Sequence, residues 1–333
     1  MLLNELIHAD ADFVELGVMD FISFDGVAAL EEEIDGNDWE VEILAEDFQT
    51  YGLMTGHYLY FPGTEWGGRV EKIEHISAKG VIKLAGVTWR GLLIRKIILP
   101  PDGKSHLDLT EATVSEAIAQ LTAPFDGLFE AESGHTQLCG KKFRYQNVLE
   151  GINEMLNALD ERLEITLQAD NKTVLLRPVP IEDHSEEIEF SGDYDMSYTS
   201  TIAEAQYNHI IALGQGEQEK RTVKHLYLLP DGSVTDNANA EGVATGFDER
   251  TMLYDYPNCE DEDELLKGAK KRLLEYGAQN AIDFQLDSGD IDLPLGDKVG
   301  LRDRLTGLAD VKTICKKILR VSADGITLSY SVE

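Results

Sequence analysis

Apolar and polar residues alternate with a period of two along much of this chain. Trp39, Val41 and Ile43 alternate with Glu40 and Glu42, and Ile326, Leu328, Tyr330 and Val332 alternate with Thr327, Ser329 and Ser331. Such spacing sends successive side chains to opposite faces of a strand, one face toward a core and one toward water. Strands are therefore expected over residues 12–90, including 13–18, 39–44, the segment after Gly56, and a hairpin that runs into Val87-Thr88-Trp89. Pro100-Pro101-Asp102-Gly103 then interrupts the chain, and the period changes. Thr113 and Glu116 make a capping-box pair ahead of the stripe Val114, Ile118 and Leu121, which Pro124 ends. Val148, Ile152, Met155 and Leu159 predict a longer helix over 145–160. Leu163, Ile165 and Leu167 then alternate with polar residues, turn at Ala169-Asp170-Asn171-Lys172 and return through Val174-Leu175-Leu176.

From about residue 187 the pattern is again that of strands, at 194–198, 208–214 and 222–228, with a turn at Pro230-Asp231-Gly232. Residues 231–250, rich in Asp, Asn, Gly and Ala, predict a long exposed loop. A helix is expected over 260–278. Acidic residues from Glu260 to Glu264 crowd its first turn, and Lys267, Lys270, Lys271 and Arg272 follow, as the helix dipole favours. That acidic run reads as a helix start before it reads as a metal site.

One β-unit occurs twice. Ile73-Glu74-His75-Ile76-Ser77-Ala78-Lys79-Gly80-Val81 returns as Ile318-Leu319-Arg320-Val321-Ser322-Ala323-Asp324-Gly325-Ile326. Ser-Ala-x-Gly is also an ordinary hairpin loop, with Gly taking the left-handed position. A second correspondence favours duplication: Gly56-His57-Tyr58-Leu59-Tyr60-Phe61 precedes the first copy and Gly296-Asp297-Lys298-Val299-Gly300-Leu301 the second. Two similar small β-domains follow, and duplicated domains often serve symmetry.

The 333 residues, 43% of them apolar, suffice for two or three folded domains. No apolar run approaches 18 residues, and Glu5 and Asp10 interrupt the start where a secretory leader needs a positive and then an apolar segment. A soluble, cytoplasmically made protein is expected. Sixty-two acidic against 29 basic residues leave a formal charge of −33, which disfavours a grip on nucleic acid. Two readings of that charge stand: solubility alone, or a surface over which DNA slides without sticking. Cys139, Cys259 and Cys315 are odd in number and far apart, so they read as buried thiols.

Catalytic motifs are missing from the sequence: there is no Gly-x-Ser-x-Gly elbow, Gly-x-x-x-x-Gly-Lys loop or His-Glu-x-x-His helix. Gly214-Gln215-Gly216-Glu217 lacks the third glycine of a dinucleotide loop and reads as a turn. His135 and Cys139 stand four apart without two further ligands. Asp287, Asp290, Asp292 and Asp297 offer oxygens for Ca²⁺ without the required spacing, so solvated carboxylates are expected. With 62 acidic residues, no glycosidase pair can be nominated. No catalytic, cofactor-binding or metal-ligating residue is assigned.

Val87-Thr88-Trp89-Arg90-Gly91-Leu92-Leu93-Ile94-Arg95-Lys96-Ile97-Ile98-Leu99-Pro100 resembles the tail hub or tail-tip family of minor tail proteins from long-tailed phages and prophages. In that family a strand ends in Trp-Arg-Gly-Leu-Leu just before a Pro-rich exit from the first barrel. Asn208-x-Ile210-x-Ala212-Leu213-Gly214-Gln215-Gly216-Glu217, followed by Arg221-Thr222-Val223, also resembles it, where the second barrel should begin. The resemblance marks Trp89, Arg90, Gly91, Leu92, Leu93, Gly214, Gln215 and Gly216 as structural or interface positions. For Trp89 core packing, and for Arg90 a surface or ion-pairing role, stand beside an interface role.

The resemblance implies a fold similar to the phage baseplate hub: α+β, mainly β, with two related small antiparallel β-barrel domains plus helix-bearing α+β parts. Expected boundaries are β-barrel I at 1–104, an α+β middle domain at 105–186, and a split β-barrel II at 187–230 plus 284–333. A loop and helix insertion at 231–283 is expected to pack with the middle domain. It further implies a structural, non-enzymatic homotrimer whose six barrels match the sixfold tail tube, with a distal tail or tube protein above and a spike or fibre below. DNA is expected only in passage, without specific binding, and no membrane insertion is expected. The expected place is the virion tail, assembled in the bacterial host cytoplasm. Many relatives carry a C-terminal peptidase or carbohydrate-binding extension that this sequence lacks, which argues against a lytic or receptor-binding role for this polypeptide on its own. A tail-tip cell-wall hydrolase or glycan-binding protein is the alternative, and a type VI-like secretion component a third reading.

Overall fold

A computed structural model describes residues 5–30, 36–168, 172–186, 189–190, 196–216, 220–259, 261–277, 279–288 and 292–333. The chain divides into two compact units, one of residues 1–198, 283–302 and 309–333, the other of 199–282 and 303–308. It is α+β and mainly β.

The larger unit begins with β1 (Leu6–Ala9), β2 (Glu15–Met19), β3 (Ser23–Ala29), β4 (Asp38–Leu44), the one-turn α1 (Phe48–Tyr51), β5 (Tyr58–Tyr60), β6 (Gly67–Ile76) and β7 (Val81–Thr88). The alternation in β4 does what the sequence predicts: Trp39, Val41 and Ile43 are buried while Glu40 and Glu42 stay half-exposed. Apolar alternation missed β1, a four-residue strand buried along its whole length, which carries no wet face to reveal it.

Next come α2 (Trp89–Ile94), β8 (Leu107–Asp108), α3 (Val114–Thr122), β9 (Phe129–Ala131), β10 (Lys142–Phe143), α4 (Val148–Asn157), β11 (Glu161–Gln168) and β12 (Thr173–Pro180). The capping box read at Thr113 and Glu116 is present, and Asn147 with Glu150 forms a second at the start of α4. β11 and β12 pair antiparallel as expected, and β12 takes β9 as a parallel neighbour. The turn residues Ala169, Asp170 and Asn171 lie outside the described residues. Val114, Ile118, Ile152 and Met155 from the two helices share one core with Trp89, Leu93, Ile165 and Leu176.

Two short stretches, β13 (Glu189–Phe190) and β14 (Met196–Ala203), lead to the smaller unit. Tyr194 and Asp195, read as part of a strand, lie outside the described residues. The smaller unit contains β15 (His209–Leu213), β16 (Val223–Leu228), β17 (Val234–Thr235), β18 (Thr251–Asp255) and α5 (Glu262–Glu275). Its sheet runs β17-β16-β15-β18, with β15 and β16 antiparallel as the sequence predicts and β18 parallel to β15. Leu265, Ala269 and Leu273 of α5 close the core over Ile210, Ala212, Leu226 and Leu228. Asp261 caps α5 by accepting from the backbone N–H groups of Asp263 and Glu264, so the acidic run is a helix start. Glu260 lies outside the described residues.

The chain then adds β19 (Gln279–Ser288), β20 (Lys298–Arg302), β21 (Ala309–Ser322) and β22 (Gly325–Val332). One sheet runs β14-β19-β22-β21-β3-β4-β7-β6-β5-β1-β2, with β20 also beside β21 and β13 beside β20. The early and late β-regions therefore meet through hydrogen bonds between β21 and β3, from Lys316↔Ala29 to Ser322↔Ser23.

Candidate assembly site

The two copies read in the sequence are two copies in backbone geometry. Ile76 stands opposite Val81, as Val321 stands opposite Ile326, and Ile73↔Leu84 corresponds to Ile318↔Ser329. Each long strand carries one bulge in its pairing, between Val70 and Lys72 in β6 and between Ile314 and Lys316 in β21. A bulge bends and twists its strand, and in the aligned hairpins the two fall one pair apart, opposite Ala85–Gly86 and opposite Ser331–Val332. Upstream, Gly56 and Gly296 have φ of 95° and 94°, a region where a Cβ is strained. The Gly56 N–H donates to the Val70 carbonyl (2.7 Å) and the Val70 N–H to the His57 carbonyl (2.7 Å). Gly296, Ile314 and Asp297 repeat that exchange at 2.9 Å and 2.9 Å. Strand order repeats too: β3-β4-β7-β6-β5 in the first region, β14-β19-β22-β21-β20 in the second. The turns differ beneath their shared letters. Gly80, at φ 67°, donates to the Ile76 carbonyl (3.0 Å) and closes a four-residue loop. In the second copy Ser322 pairs with Gly325, which leaves only Ala323 and Asp324 at the tip.

The Trp-Arg-Gly-Leu-Leu positions form a helix and not the end of a strand. β7 stops at Thr88, whose hydroxyl accepts from the Gly91 N–H and caps α2. Alternation through Val87 and Thr88 masks this change, because a six-residue helix is too short to display a 3.6 period. Trp89 is fully buried between Phe13 and Tyr58, with ring centroids 6.1 and 6.0 Å away. Leu93 is buried beside it, while Leu92 is half-buried against the same core. A Cβ on Gly91 would lie 2.4 Å from the Asn37 carbonyl oxygen and 2.8 Å from the Val87 Cβ, so the helix reaches β7 only with glycine there. Arg90 is 3% exposed. Its Nε donates to Glu65 (3.0 Å) and its Nη2 to the Leu163 carbonyl (3.0 Å), so it ties the β5–β6 loop to β11. Trp89 thus packs in the core, and Arg90 makes a buried ion pair.

The neighbouring residue of β11, Arg162, reaches the second copy. Its Nε and Nη2 donate to the two oxygens of the fully buried Asp297 at 2.6 and 3.3 Å. The Glu182 N–H also donates to Asp297 Oδ1 (2.9 Å), and His184 Nε2 stands 3.6 Å from Oδ2. Among the described residues, Glu182, His184 and Asp297 are grouped closely enough to share an ion. The Arg162 guanidinium engages both Asp297 oxygens, so Asp297 is held in a buried ion pair. In the first copy the equivalent residue, His57, is buried with its Nδ1 2.7 Å from His8 Nε2. Burial, and then the neighbouring His57, push the His8 pKa down to about 4.

Gly214, Gln215 and Gly216 follow β15 as a turn. Gly214 donates to the Thr222 carbonyl (2.9 Å), Thr222 returns a bond to the Gln215 carbonyl (3.0 Å), and Gln215 donates to the Cys259 carbonyl (3.0 Å). A Cβ on Gly216, at φ 113°, would meet the Lys220 carbonyl oxygen at 2.5 Å. Glu217 lies outside the described residues. The other candidate ligands have other partners: His135 Nε2 bonds Glu161 (2.8 Å), and Asp292 pairs with Lys317. Asp290 lies outside the described residues. Cys139, Cys259 and Cys315 are buried, as expected. Among the described residues no helix is long and apolar enough to cross a membrane.

No protein-family model and no curated protein matches the sequence. Solved structures match it along its length. The 43 kDa tail protein of prophage MuSo2 from Shewanella oneidensis superposes with a TM-score of 0.58 at 10% identity, covering 99% of this chain and 98% of that one. Prophage tail protein gp18 from Listeria monocytogenes gives 0.51 at 13% identity, covering 98% and 94%. A chain of the phage P2 baseplate in its activated conformation gives 0.52 at 9% identity, covering 98% of each. The chain therefore has the fold of phage and prophage tail and baseplate proteins, the fold that its two short motifs imply.

Proposed function

We propose that this chain is a structural, non-enzymatic tail hub: three copies form a ring that joins a sixfold tail tube to a threefold tip and lets DNA through. The observation that carries this reading is the duplicated β-unit, with the same hairpin register, glycine conformation and bulged strand in both copies. Three chains with two such units each present six equivalent strand sets, which is how a threefold ring can meet a sixfold one. Tail and baseplate structures of the same fold support a place among other tail proteins, with a tube or distal tail protein above and a spike or fibre below. The site of action is the virion tail, after assembly in the host cytoplasm. A net charge of −33 fits DNA in passage, since a strongly acidic wall gives phosphates nothing to hold.

Mass in solution together with particle images tests the ring. A three-subunit mass and a sixfold-looking outline support it; a monomer that persists at high concentration counts against it.

A further inference from the structure

β21 is used in two halves. Residues Ala309 to Thr313 pair with β20, and beyond the bulge Lys316 to Ser322 pair with β3. β6 repeats only the first half of that arrangement. Gly67 to Arg69 pair with β5, and Val70 exchanges bonds with Gly56 and His57. Residues 71–77, the counterparts of 316–322, have β7 on one side, and among the described residues no strand pairs with them on the other. Lys72, Glu74 and His75 are exposed.

The direction of the open groups follows from the turn. The Ile76 carbonyl accepts from Gly80, so Ile76 points its backbone groups toward β7. Alternation along the strand turns those of Glu74 the same way and those of Ile73 and His75 outward. An unpaired strand edge of this kind is a template for another strand.

We propose that residues 71–77 of β6 dock strand β14 of the next copy, so that the β21–β3 junction inside the chain is repeated between chains. This rests on the hub reading. The occupant is fixed by the equivalence of the two β-regions: β14 holds in β14-β19-β22-β21 the place that β3 holds in β3-β4-β7-β6. β3 has its far edge taken by β21, whereas β14 ends the sheet among the described residues. Each copy thus carries one open edge of each kind. Joining unlike edges gives a head-to-tail contact, the kind that forms a ring when its rotation closes after three copies and an open filament when it does not.

His75→Pro tests the junction. Proline removes only an outward N–H, a position where edge strands tolerate it, and should leave the hairpin folded. Expected are unchanged circular dichroism and at least about a hundredfold weaker self-association, read from mass against concentration. Should the variant misfold, hydrogen exchange on the wild type decides: a peptide spanning 71–77 is protected in the ring and loses that protection on dilution to monomer. A folded His75→Pro that still forms the ring, or a ring in which 71–77 exchanges freely, overturns this junction and leaves the hub intact. A wild type that stays monomeric overturns both.

Discussion

His57 and Asp297 sit at one backbone position in two copies of the same β-unit, and they bury different chemistry there. The first meets another imidazole, His8, at 2.7 Å; the second meets a guanidinium, Arg162, at 2.6 Å. Backbone exchange, glycine conformation and bulge agree between the copies while the polar contents do not. The two units therefore share what sets the backbone path and differ in what sets local charge. The neighbouring pair Arg162 and Leu163 of β11 uses both solutions, sending a side chain to the second copy and accepting Arg90 of the first at its carbonyl. An α+β segment is thereby fixed to both copies from adjacent residues.

The sharpest way to break this comparison is to remove the charge. Asp297→Ala leaves the buried Arg162 only the more distant Glu164, at 4.0 Å, and should cost about 3–5 kcal/mol, read from urea unfolding. His57→Ala removes one ring of the imidazole pair and should cost about 1–2 kcal/mol. Equal losses would mean that the two positions are interchangeable packing.

Next in size is an acid dependence carried by the first copy. The His8 imidazole takes its proton near 6.5 when unfolded and near 4 when folded. Between those values the unfolded chain binds more protons, so this stabilisation is complete above about pH 6.5 and is lost as pH falls toward 4. The full span is on the order of 3 kcal/mol. His8→Gln should flatten unfolding free energy between pH 6.5 and 5, and a slope unchanged by that substitution would assign it elsewhere.

Alanine at the paired glycines should cost about 1–2 kcal/mol each from the left-handed backbone. The loss should be larger at Gly296, where a Cβ meets the Arg162 Cβ at 3.0 Å, than at Gly56, where the nearest atom is the mobile Arg69 Nη2 at 3.4 Å. Thermal melts of Gly56→Ala and Gly296→Ala give that ranking. The smallest effect lies at the surface of the β21–β3 junction: Arg320 and Asp25, both about half-exposed, are 3.1 Å apart, and Arg320→Ala should change stability by under about 1 kcal/mol.

The sequence showed the strands with one wet face, the Thr113 capping box and the repeated hairpin, because each leaves a mark within a few residues. It did not show the helical state of Trp89 to Ile94, since the reason lies in Thr88 and Asn37, one a cap and the other 51 residues from it in sequence. Nor did it show Arg90 or Arg162 in their buried pairs. Arg162 and Asp297 are 135 residues apart, and no local pattern links them. The four-residue and two-residue turns were hidden for the opposite reason: the same Ser-Ala-x-Gly letters fit both.

The β21–β3 junction also has a temporal side. Asp25 and its partner Arg320 are 295 residues apart, so at roughly 5–20 residues per second the ribosome needs roughly 15–60 s to deliver the second after the first. Throughout that interval the β3 edge waits bare on a nascent chain. On a polysome, a neighbouring chain that is further along brings its own β21 within reach of that edge. An edge left bare in this way is a template for strand exchange between siblings, so production at low initiation rates should favour correctly closed chains.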